Sequence, residues 1–439
     1  MRDDPVQVSD EPEASALQLL PEVDPEPDPS VSKVAPHYTD SWVDKIPRAH
    51  DAFLGSPTEL ARGKSAKSFS LLRPQKLAQK LLPEDRFITL WRYCHEGVEV
   101  DCGPLWDPDS IEIALNTGPH VSALSPASTQ LVWDDVTYQE NAGFTHIFPE
   151  SKLRQLFDIN SCKISRVAVI PQKDRRDRII LNLSAPVRRV PTASRRRKRD
   201  ILQMSVNATT VPAECQEAVK RLGTALPTLL WFMFEVPGQW IIYWFKIDLS
   251  DGFWRMVVAG GTEVNFIYQL PPRPDDIERF FALPGALQMG WMNSPPYFCD
   301  ATEAIATLAY RLMAISPFIG GAPRHHLESH TVPVTLASDQ DKTARKQILA
   351  EFLAILRVFV DDFMGGLAVP PEQESDSIRE RFARAVLHSI HAVFPPPEVS
   401  GHKGGKDSVS VKKLIKGDGR FDTTKELLGF NFVGDPGAG

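Results

Sequence analysis

Cysteine is scarce in this sequence, and no cysteine motif is present. The 439 residues include five cysteines, an odd number without a Cys-x-x-Cys pair: Cys94, Cys102, Cys162, Cys215 and Cys299. This spacing indicates neither a zinc ribbon nor a disulfide framework. We therefore expect reduced thiols and an intracellular location, in the cytoplasm, the nucleus or both.

A long hydrophobic run and a basic leader are also missing. The most apolar stretch, residues 229–245, is interrupted by Glu235, Pro237 and Gly238 and is shorter than a bilayer span requires. The first residues are acidic and rich in proline, which is the reverse of a secretory signal. We expect no association with a membrane.

Positive charge is low on average but concentrated in one segment. The formal net charge is -7, and residues 1–30 contain nine acidic side chains and only one basic side chain. Residues 173–199, in contrast, contain eleven Lys and Arg side chains and two Asp side chains. Such a strip predicts a surface that contacts phosphate groups. Its most basic part, residues 194–199, could equally be a nuclear localisation signal or a solvated loop.

Composition divides the chain into four parts. Residues 1–45 are acidic and proline-rich, which predicts a disordered tail, and residues 46–85 are expected to form a poorly ordered linker. Residues 86–240 and 241–439 are expected to fold, the latter with a surface insertion at 316–345 and a hairpin at 423–433. Predicted strands and helices alternate without a regular parallel βαβ rhythm, which favours an α+β fold.

Two acidic motifs carry the candidate chemistry. Asp361 and Asp362 lie between two apolar runs in RVFVDDFMGG (357–366), which predicts a hairpin with both carboxylates at its tip. Asp248 ends another apolar run, IIYWFKIDL (241–249). A solvated turn would explain either motif alone. Together, however, three converging carboxylates stay ionised only with cations between them. We therefore predict that these aspartates bind two Mg²⁺ ions, with Mn²⁺ as an alternative.

Five motifs resemble those of reverse transcriptases, the RNA-directed DNA polymerases of retrotransposon-like elements in eukaryotes. They are the basic hairpin at 173–184, DLSDGF (248–253), LQMGWMNSPPYF (287–298), FVDD (359–362) and LLGF (427–430). The resemblance extends over about residues 110–433. It implies a right-hand polymerase with an N-terminal extension and fingers in 86–240. It also implies an antiparallel palm sheet backed by helices in 241–439, and a thumb that is largely absent.

The resemblance also implies a role for each motif residue. Asp248, Asp361 and Asp362 would be catalytic and would bind the metal ions. The nucleotide would be bound by Lys173, Arg178, Asp251, Gly252, Phe253, Met289 and Gly290, with the Phe253 ring excluding ribonucleotides. Template and primer would contact Trp291, Ser294, Pro295, Phe359, Leu428 and Gly429.

The implied partners are an RNA or DNA template with its primer and deoxynucleoside triphosphates. Separate thumb, RNase H or integrase segments of the same element would complete the machinery. The alternative is a truncated, catalytically idle relic or a domesticated protein that only binds nucleic acid. That alternative accounts for the absence of a thumb after the last hairpin.

The sequence departs from the family pattern at several positions. Phe359 replaces the usual Tyr, and Gln288 and Met289 stand where Pro and Gln are common. None of these changes removes a predicted metal-binding carboxylate. Lys412 and Lys413 are candidates for a general acid, although an exposed lysine is the simpler interpretation. His325, His326 and His330 have no Cys or carboxylate pattern beside them, and we expect no metal site there.

Overall fold

Helices pack against small β-sheets in an α+β arrangement, as the sequence predicted. The protein is represented by a computed structural model. It describes residues 41–44, 70–173, 176–191, 201–213, 221–315, 322–332, 352–373, 375–400 and 402–435.

The helices range from single turns to six turns. In chain order they are α1 (Ser41–Asp44), α2 (Lys76–Leu81), α3 (Glu84–His95), α4 (Pro108–Thr117), α5 (Pro126–Ala142), α6 (Glu150–Leu156), α7 (Val206–Thr209), α8 (Ala225–Glu235), α9 (Ser294–Ala314), α10 (Asp376–Val393), α11 (Pro397–Ser400) and α12 (Val411–Ile415). Short 3₁₀ turns lie at Val121–Ala123, Ile159–Ser161, Gly252–Arg255, Glu263–Phe266 and Glu328–His330.

The strands of the described residues form four sheets. They are β1 (Thr145–Pro149), β2 (Ile164–Ile170), β3 (Arg178–Asn182), β4 (Arg188–Pro191), β5 (Ile201–Met204), β6 (Ile241–Asp248), β7 (Ile267–Gln269), β8 (Phe280–Pro284), β9 (Leu353–Phe359), β10 (Asp362–Val369), β11 (Thr424–Leu427) and β12 (Phe430–Val433). A five-stranded sheet has the order β1-β8-β7-β2-β3, with β2 and β7 parallel. An antiparallel three-stranded sheet has the order β6-β10-β9. The pairs β4–β5 and β11–β12 form two hairpins.

The three-stranded sheet has an apolar layer on each face. Because side chains alternate along a strand, Phe245 of β6 packs on one face, where its ring lies 5.1 Å from that of Phe382 on α10. Trp244 packs on the other face, 5.0 Å from Phe432 of β12. Helices α9 and α10 cover the first face, and α8 with the β11–β12 hairpin covers the second. Both faces of the three-stranded sheet are therefore covered by other elements of the fold.

Two predicted boundaries were wrong near the N-terminus. Residues 70–85, predicted as linker, join the fold, because Leu77, Ala78 and Leu81 form a buried face on α2. Within the predicted tail, α1 forms one helical turn, and the Val43 carbonyl accepts a hydrogen bond from Lys80 at 2.6 Å. The remaining residues of 1–69 lie outside the described part of the chain.

The predicted division at residue 240 was also too simple. Strands β7 and β8 follow it in sequence, yet they pair with β2 and β1 in the five-stranded sheet. The chain therefore builds most of the first sheet, enters the second with β6, and then returns to the first. Alternating hydrophobic residues predict strands, but they do not specify which sheet a strand joins.

Residues 322–332 correct the prediction of a surface insertion at 316–345. Glu328 is almost fully buried, and both of its oxygens accept hydrogen bonds from the Arg384 guanidinium on α10, at 2.6 and 2.8 Å. Leu327 and Val332 are buried beside it. A two-point Arg–carboxylate bond and apolar contacts therefore dock this segment on α10. The rest of the predicted insertion lies outside the described residues.

The helices that the structure describes can also be compared with a membrane span. None of them combines the length and the apolar character that crossing a bilayer requires.

We predict that Gly365→Ala lowers the free energy of unfolding by about 1–3 kcal/mol, because it overpacks the core. A Cβ atom at Gly365 would lie 1.9 Å from the Phe245 ring, which is enclosed by its neighbours. Urea unfolding of the purified protein measures the change. The matched control is Gly238→Ala, where an added Cβ meets no atom within 4 Å. Equal stability of the two variants would contradict the packing argument.

Candidate active site

The three predicted aspartates meet at one end of the three-stranded sheet. Asp248 is the last residue of β6, Asp362 is the first residue of β10, and the two are direct partners in the antiparallel register. Asp361 lies in the turn between β9 and β10, and its carbonyl accepts a hydrogen bond from the Leu249 amide at 3.0 Å. The predicted hairpin with both carboxylates at its tip is therefore present.

The turn that carries Asp361 is strained. Phe359 pairs with Asp362, so Val360 and Asp361 form a two-residue loop, and Val360 has φ 59. Glycine is preferred there, because a positive φ is costly for a β-branched residue. Within the described residues, the other non-glycine positions with positive φ are Asp251 and Leu428. All three lie in the sequence motifs, and such strain often accumulates at functional sites.

Two lysines compensate part of the negative charge. The ammonium group of Lys246 lies 3.4 Å from an Asp248 oxygen and 3.0 Å from an Asp362 oxygen. The ammonium group of Lys413 on α12 lies 3.0 Å from the same Asp248 oxygen, and this side chain is 50% exposed. Neither oxygen of the buried Asp248 carboxylate makes a hydrogen bond of normal geometry. Two cations therefore accompany three carboxyl groups.

Sequence reasoning missed Lys246, although a signal was present. Residues two apart on a strand point to the same face, so Lys246 must lie beside Asp248 once β6 is recognised. Lys413 was considered only as a poorly supported candidate. The structure shows it both exposed and paired with Asp248, because α12 packs near the end of β6.

The protonation of the aspartates reflects this crowding. Burial, and after it the interaction with the negative Asp248 carboxylate, raise the pKa of Asp362 to about 7. Burial also acts to raise the pKa of Asp248, but the hydrogen bond from Asp362 and the charges of Lys246 and Lys413 lower it overall. For Asp361, burial and then the Asp248 charge raise the pKa. Asp362 therefore retains its proton to a higher pH than Asp248 does.

The three side chains are donors of the type that a hard divalent cation prefers, although they are not the group of three closely spaced ligand atoms that the described residues contain. All three groups offer carboxylate oxygens, the ligand type of Mg²⁺, and both Asp248 oxygens are buried without a normal hydrogen bond. A cation at this position would add to the charge compensation that Lys246 and Lys413 provide.

The Asp251 turn follows β6 directly. The Asp251 carboxylate accepts a hydrogen bond from the Tyr138 hydroxyl at 3.4 Å, and it lies 3.6 Å from both His402 and Lys406. Burial acts to raise its pKa, but these basic neighbours and Arg255 lower it overall. The Asp251 carboxylate is thus engaged within the protein, and the nucleotide contact of Asp251 and Gly252 stays a prediction.

The other predicted nucleotide-binding residues lie on exposed or half-buried loops. Lys173 lies in the connection between β2 and β3, and Arg178 is the first residue of β3. Both residues are exposed. The Arg178 guanidinium lies 2.7 Å from the Met289 sulfur, which joins this hairpin to the loop before α9. Gly290 is exposed in that loop and has φ 102. Phe253 is half-buried, with its ring 5.0 Å from that of Phe298.

Two predicted template contacts were wrong. Trp291 is only 1% exposed, and its indole N–H donates to the Thr210 hydroxyl at 3.1 Å. Ser294 is fully buried, and its hydroxyl donates to the Gln288 carbonyl at 2.7 Å. Both side chains stabilise the start of α9 from the inside. The spacing of the motif identifies these two residues in the sequence, but it does not indicate that their side chains face the core.

The remaining predicted template and primer contacts are accessible to different extents. Phe359 is 39% exposed at the end of β9, and Pro295 is half-buried in the first turn of α9. Leu428 and Gly429 form the two-residue turn of the β11–β12 hairpin and have φ 52 and 80. Leu428 is half-buried, while Gly429 is exposed.

No family model matches the chain, and no curated protein matches it. The resemblance to reverse transcriptases therefore depends on the motifs and on the geometry described above.

We predict that Asp362→Asn raises the melting temperature of the metal-free protein at pH 8. A pKa of about 7 in the folded state lies above the usual value of 3.8, so the folded state binds this proton more tightly than the unfolded state does. The wild type therefore loses stability as the pH rises from about 4 to 7, and the asparagine variant does not. The gain should shrink towards pH 4.

Thermal unfolding with a chelator, at pH 5 and pH 8, measures this effect. Asp134→Asn on the exposed face of α5 is the control, and it should change the melting temperature at neither pH. A lower melting temperature for Asp362→Asn at pH 8 would disprove the predicted carboxylate repulsion.

Proposed function

We propose that this chain is an RNA-directed DNA polymerase of a retrotransposon-like mobile element, which adds deoxynucleotides to a primer 3′ end. The supporting observation is the strand register that pairs Asp248 with Asp362 and puts Asp361 in the adjoining strained turn. A solvated turn has no physical reason to collect three partly buried carboxylates. The order of the motifs along the chain adds to this support.

In this proposal the three-stranded sheet, with α9 and α10 behind it, is the palm of a right-hand polymerase. The five-stranded sheet and its basic β2–β3 hairpin belong to the fingers. The β11–β12 hairpin packs against the sheet through Phe432 and Trp244, and it would hold the primer with its exposed turn. A thumb, an RNase H or an integrase would come from other segments of the same element.

The ligands for two Mg²⁺ ions, or Mn²⁺ as an alternative, would be Asp248 and Asp361, with Asp362 beside them. Bound in pairs, such ions activate the attacking hydroxyl and stabilise the leaving oxygens of an in-line displacement. Asp362 would lose its proton when the site is filled, because the neighbouring negative charge would then be compensated. The Lys246 ammonium group lies 3.0 Å from an Asp362 oxygen, and this pair would persist with or without the metal ions.

Basic residues of the β2–β3 hairpin would bind the phosphates. Arg178 offers a planar fork for phosphate oxygens, and Lys173 adds a second positive charge on the same hairpin. Lys413 is half-exposed beside Asp248, so its ammonium group can donate a proton to the departing pyrophosphate. Phe253 would lie against the sugar and leave no room for a 2′-hydroxyl.

One observation favours a second candidate, a protein that binds nucleic acid without extending it. Lys246 and Lys413 already compensate two of the three aspartate charges, so the site is tolerated without a metal ion. Measuring binding and extension on the same primer–template distinguishes the two candidates.

We predict that the wild-type protein extends a DNA primer on an RNA template with Mg²⁺ or Mn²⁺, and that Asp361→Asn abolishes extension. The substitution removes a metal ligand worth several kcal/mol in the transition state, which corresponds to roughly a hundredfold loss or more. A gel assay measures extension, and filter binding measures affinity for the same primer–template.

The matched control is Asp134→Asn, which should extend as the wild type does. Binding without extension in the wild type would favour the second candidate. Extension that survives Asp361→Asn would refute the assignment of the site.

We predict that Phe253→Val increases the use of ribonucleotides relative to deoxynucleotides by roughly tenfold or more, because a smaller side chain admits the 2′-hydroxyl. Single-nucleotide incorporation with each triphosphate measures the ratio of kcat/KM values. Phe148→Val on β1 of the five-stranded sheet is the control. An unchanged ratio would assign Phe253 to the core contact with Phe298 alone.

A further inference from the structure

Histidines from two distant segments meet behind the aspartate site. His325 and His326 precede the Glu328–His330 turn, and His391 lies in the last turn of α10. One ligand nitrogen from each lies within 4.8 Å of the others, the one such group of three found among the described residues. His325 and His391 are buried, while the His326 side chain is 23% exposed. The sequence suggested no site here because His391 is far from the pair.

A carboxylate orients this group. The Nε2 atom of His391 lies 2.8 Å from an Asp407 oxygen, so His391 donates its Nε2 proton and presents Nδ1 as a lone pair. That Nδ1 lies 2.8 Å from the Nε2 atom of His325. The Leu327 amide donates to the Nδ1 atom of His325 at 3.2 Å. Two imidazole nitrogens therefore face each other in a buried space, with a carboxylate behind one of them.

We propose that His325, His326 and His391 bind one divalent transition-metal ion of the Zn²⁺ type, with Asp407 orienting His391 from behind. Imidazole nitrogen is a preferred ligand of Zn²⁺, and three histidines suffice for a site whose fourth position is taken by water. A metal-binding histidine usually donates its other N–H group to a carboxylate, as His391 does to Asp407.

Binding requires two local rearrangements. The His326 ring stacks on the His325 ring at 4.4 Å with an angle of 25° between the planes. Ligand lone pairs lie in the ring plane, so nearly parallel rings cannot point at one ion, and His326 must turn. Its partial exposure leaves room for this rotation. On His325 the proton moves from Nε2 to Nδ1, which breaks the hydrogen bond from Leu327 but releases no proton.

The ion would join residues 322–332 to α10 and, through Asp407, to the 402–410 loop, which supports Asp248. The Asp407 carbonyl accepts hydrogen bonds from the Ser250 hydroxyl and from Arg255, the latter at 2.7 Å. Three residues later, the Ser410 amide donates to the Asp248 carbonyl at 2.8 Å. A metal ion at the histidines would therefore fix residues 322–332, α10 and the 402–410 loop together. Its role is structural, and the inference does not depend on the proposed polymerase activity.

The experiment uses the full chain after treatment with a chelator and desalting. Equilibrium dialysis against Zn²⁺ with elemental analysis measures the bound metal, and Co²⁺ absorption measures the ligand geometry. We expect about one equivalent of Zn²⁺, a raised melting temperature and a tetrahedral Co²⁺ spectrum. His326→Ala, at a partly exposed position, should weaken binding by at least roughly tenfold while the protein stays folded. Asp407→Asn should weaken it by roughly 10–100-fold.

Two controls locate the ion. His330→Ala, in the same segment but outside the group, should bind Zn²⁺ as the wild type does. Asp361→Asn should also retain binding, and loss of Zn²⁺ in that variant would assign the ion to the aspartates and overturn the proposal. Absence of stoichiometric binding in the wild type, or unchanged binding in His326→Ala, would leave only a hydrogen-bonded histidine cluster and would also overturn it.

Discussion

Electrostatic repulsion among three carboxyl groups at one end of a sheet is the constraint on which the rest of this structure depends. Asp248 and Asp362 are direct partners across β6 and β10, and Asp361 lies in the next turn. Burial makes the repulsion stronger, as the raised pKa of Asp361 and of Asp362 indicates. Lys246 and Lys413 offset part of this cost with two positive charges. The arrangement persists because the surrounding fold leaves the strand ends no alternative position.

The packing behind the site supplies that restraint. Glycines at 365 and 366 let the Phe245 and Trp244 rings lie directly against β10, so the sheet is locked between two apolar layers. This packing holds Val360 in a backbone conformation that a β-branched residue rarely adopts. The 402–410 loop adds a second restraint, because it bonds to the backbone around Asp248 and also contacts the histidine group. The strained turn and the charged carboxylates are thus held in place by the two apolar layers and by the 402–410 loop.

Much of the candidate site could be predicted from the sequence because its parts are local. The hairpin around Asp361 follows from two apolar runs that flank polar residues, and the basic β2–β3 hairpin follows from the same kind of pattern. The pairing of Asp248 with Asp362 could not be predicted from periodicity alone. It required the assumption that two strands far apart in sequence are neighbours, which came from the order of the motifs.

The sequence by itself determined the hairpin around Asp361, the basic β2–β3 hairpin, the acidic and basic motifs, and the mixed α+β class. Only the tertiary structure decided which side chains face a groove and which face the core. Trp291 and Ser294 match a motif yet are buried, while Lys246 matches none yet contacts two aspartates. His391 meets His325 only after α10 docks on residues 322–332. The physical reason is that burial and charge pairing depend on neighbours brought together by folding, which spacing along the chain does not encode.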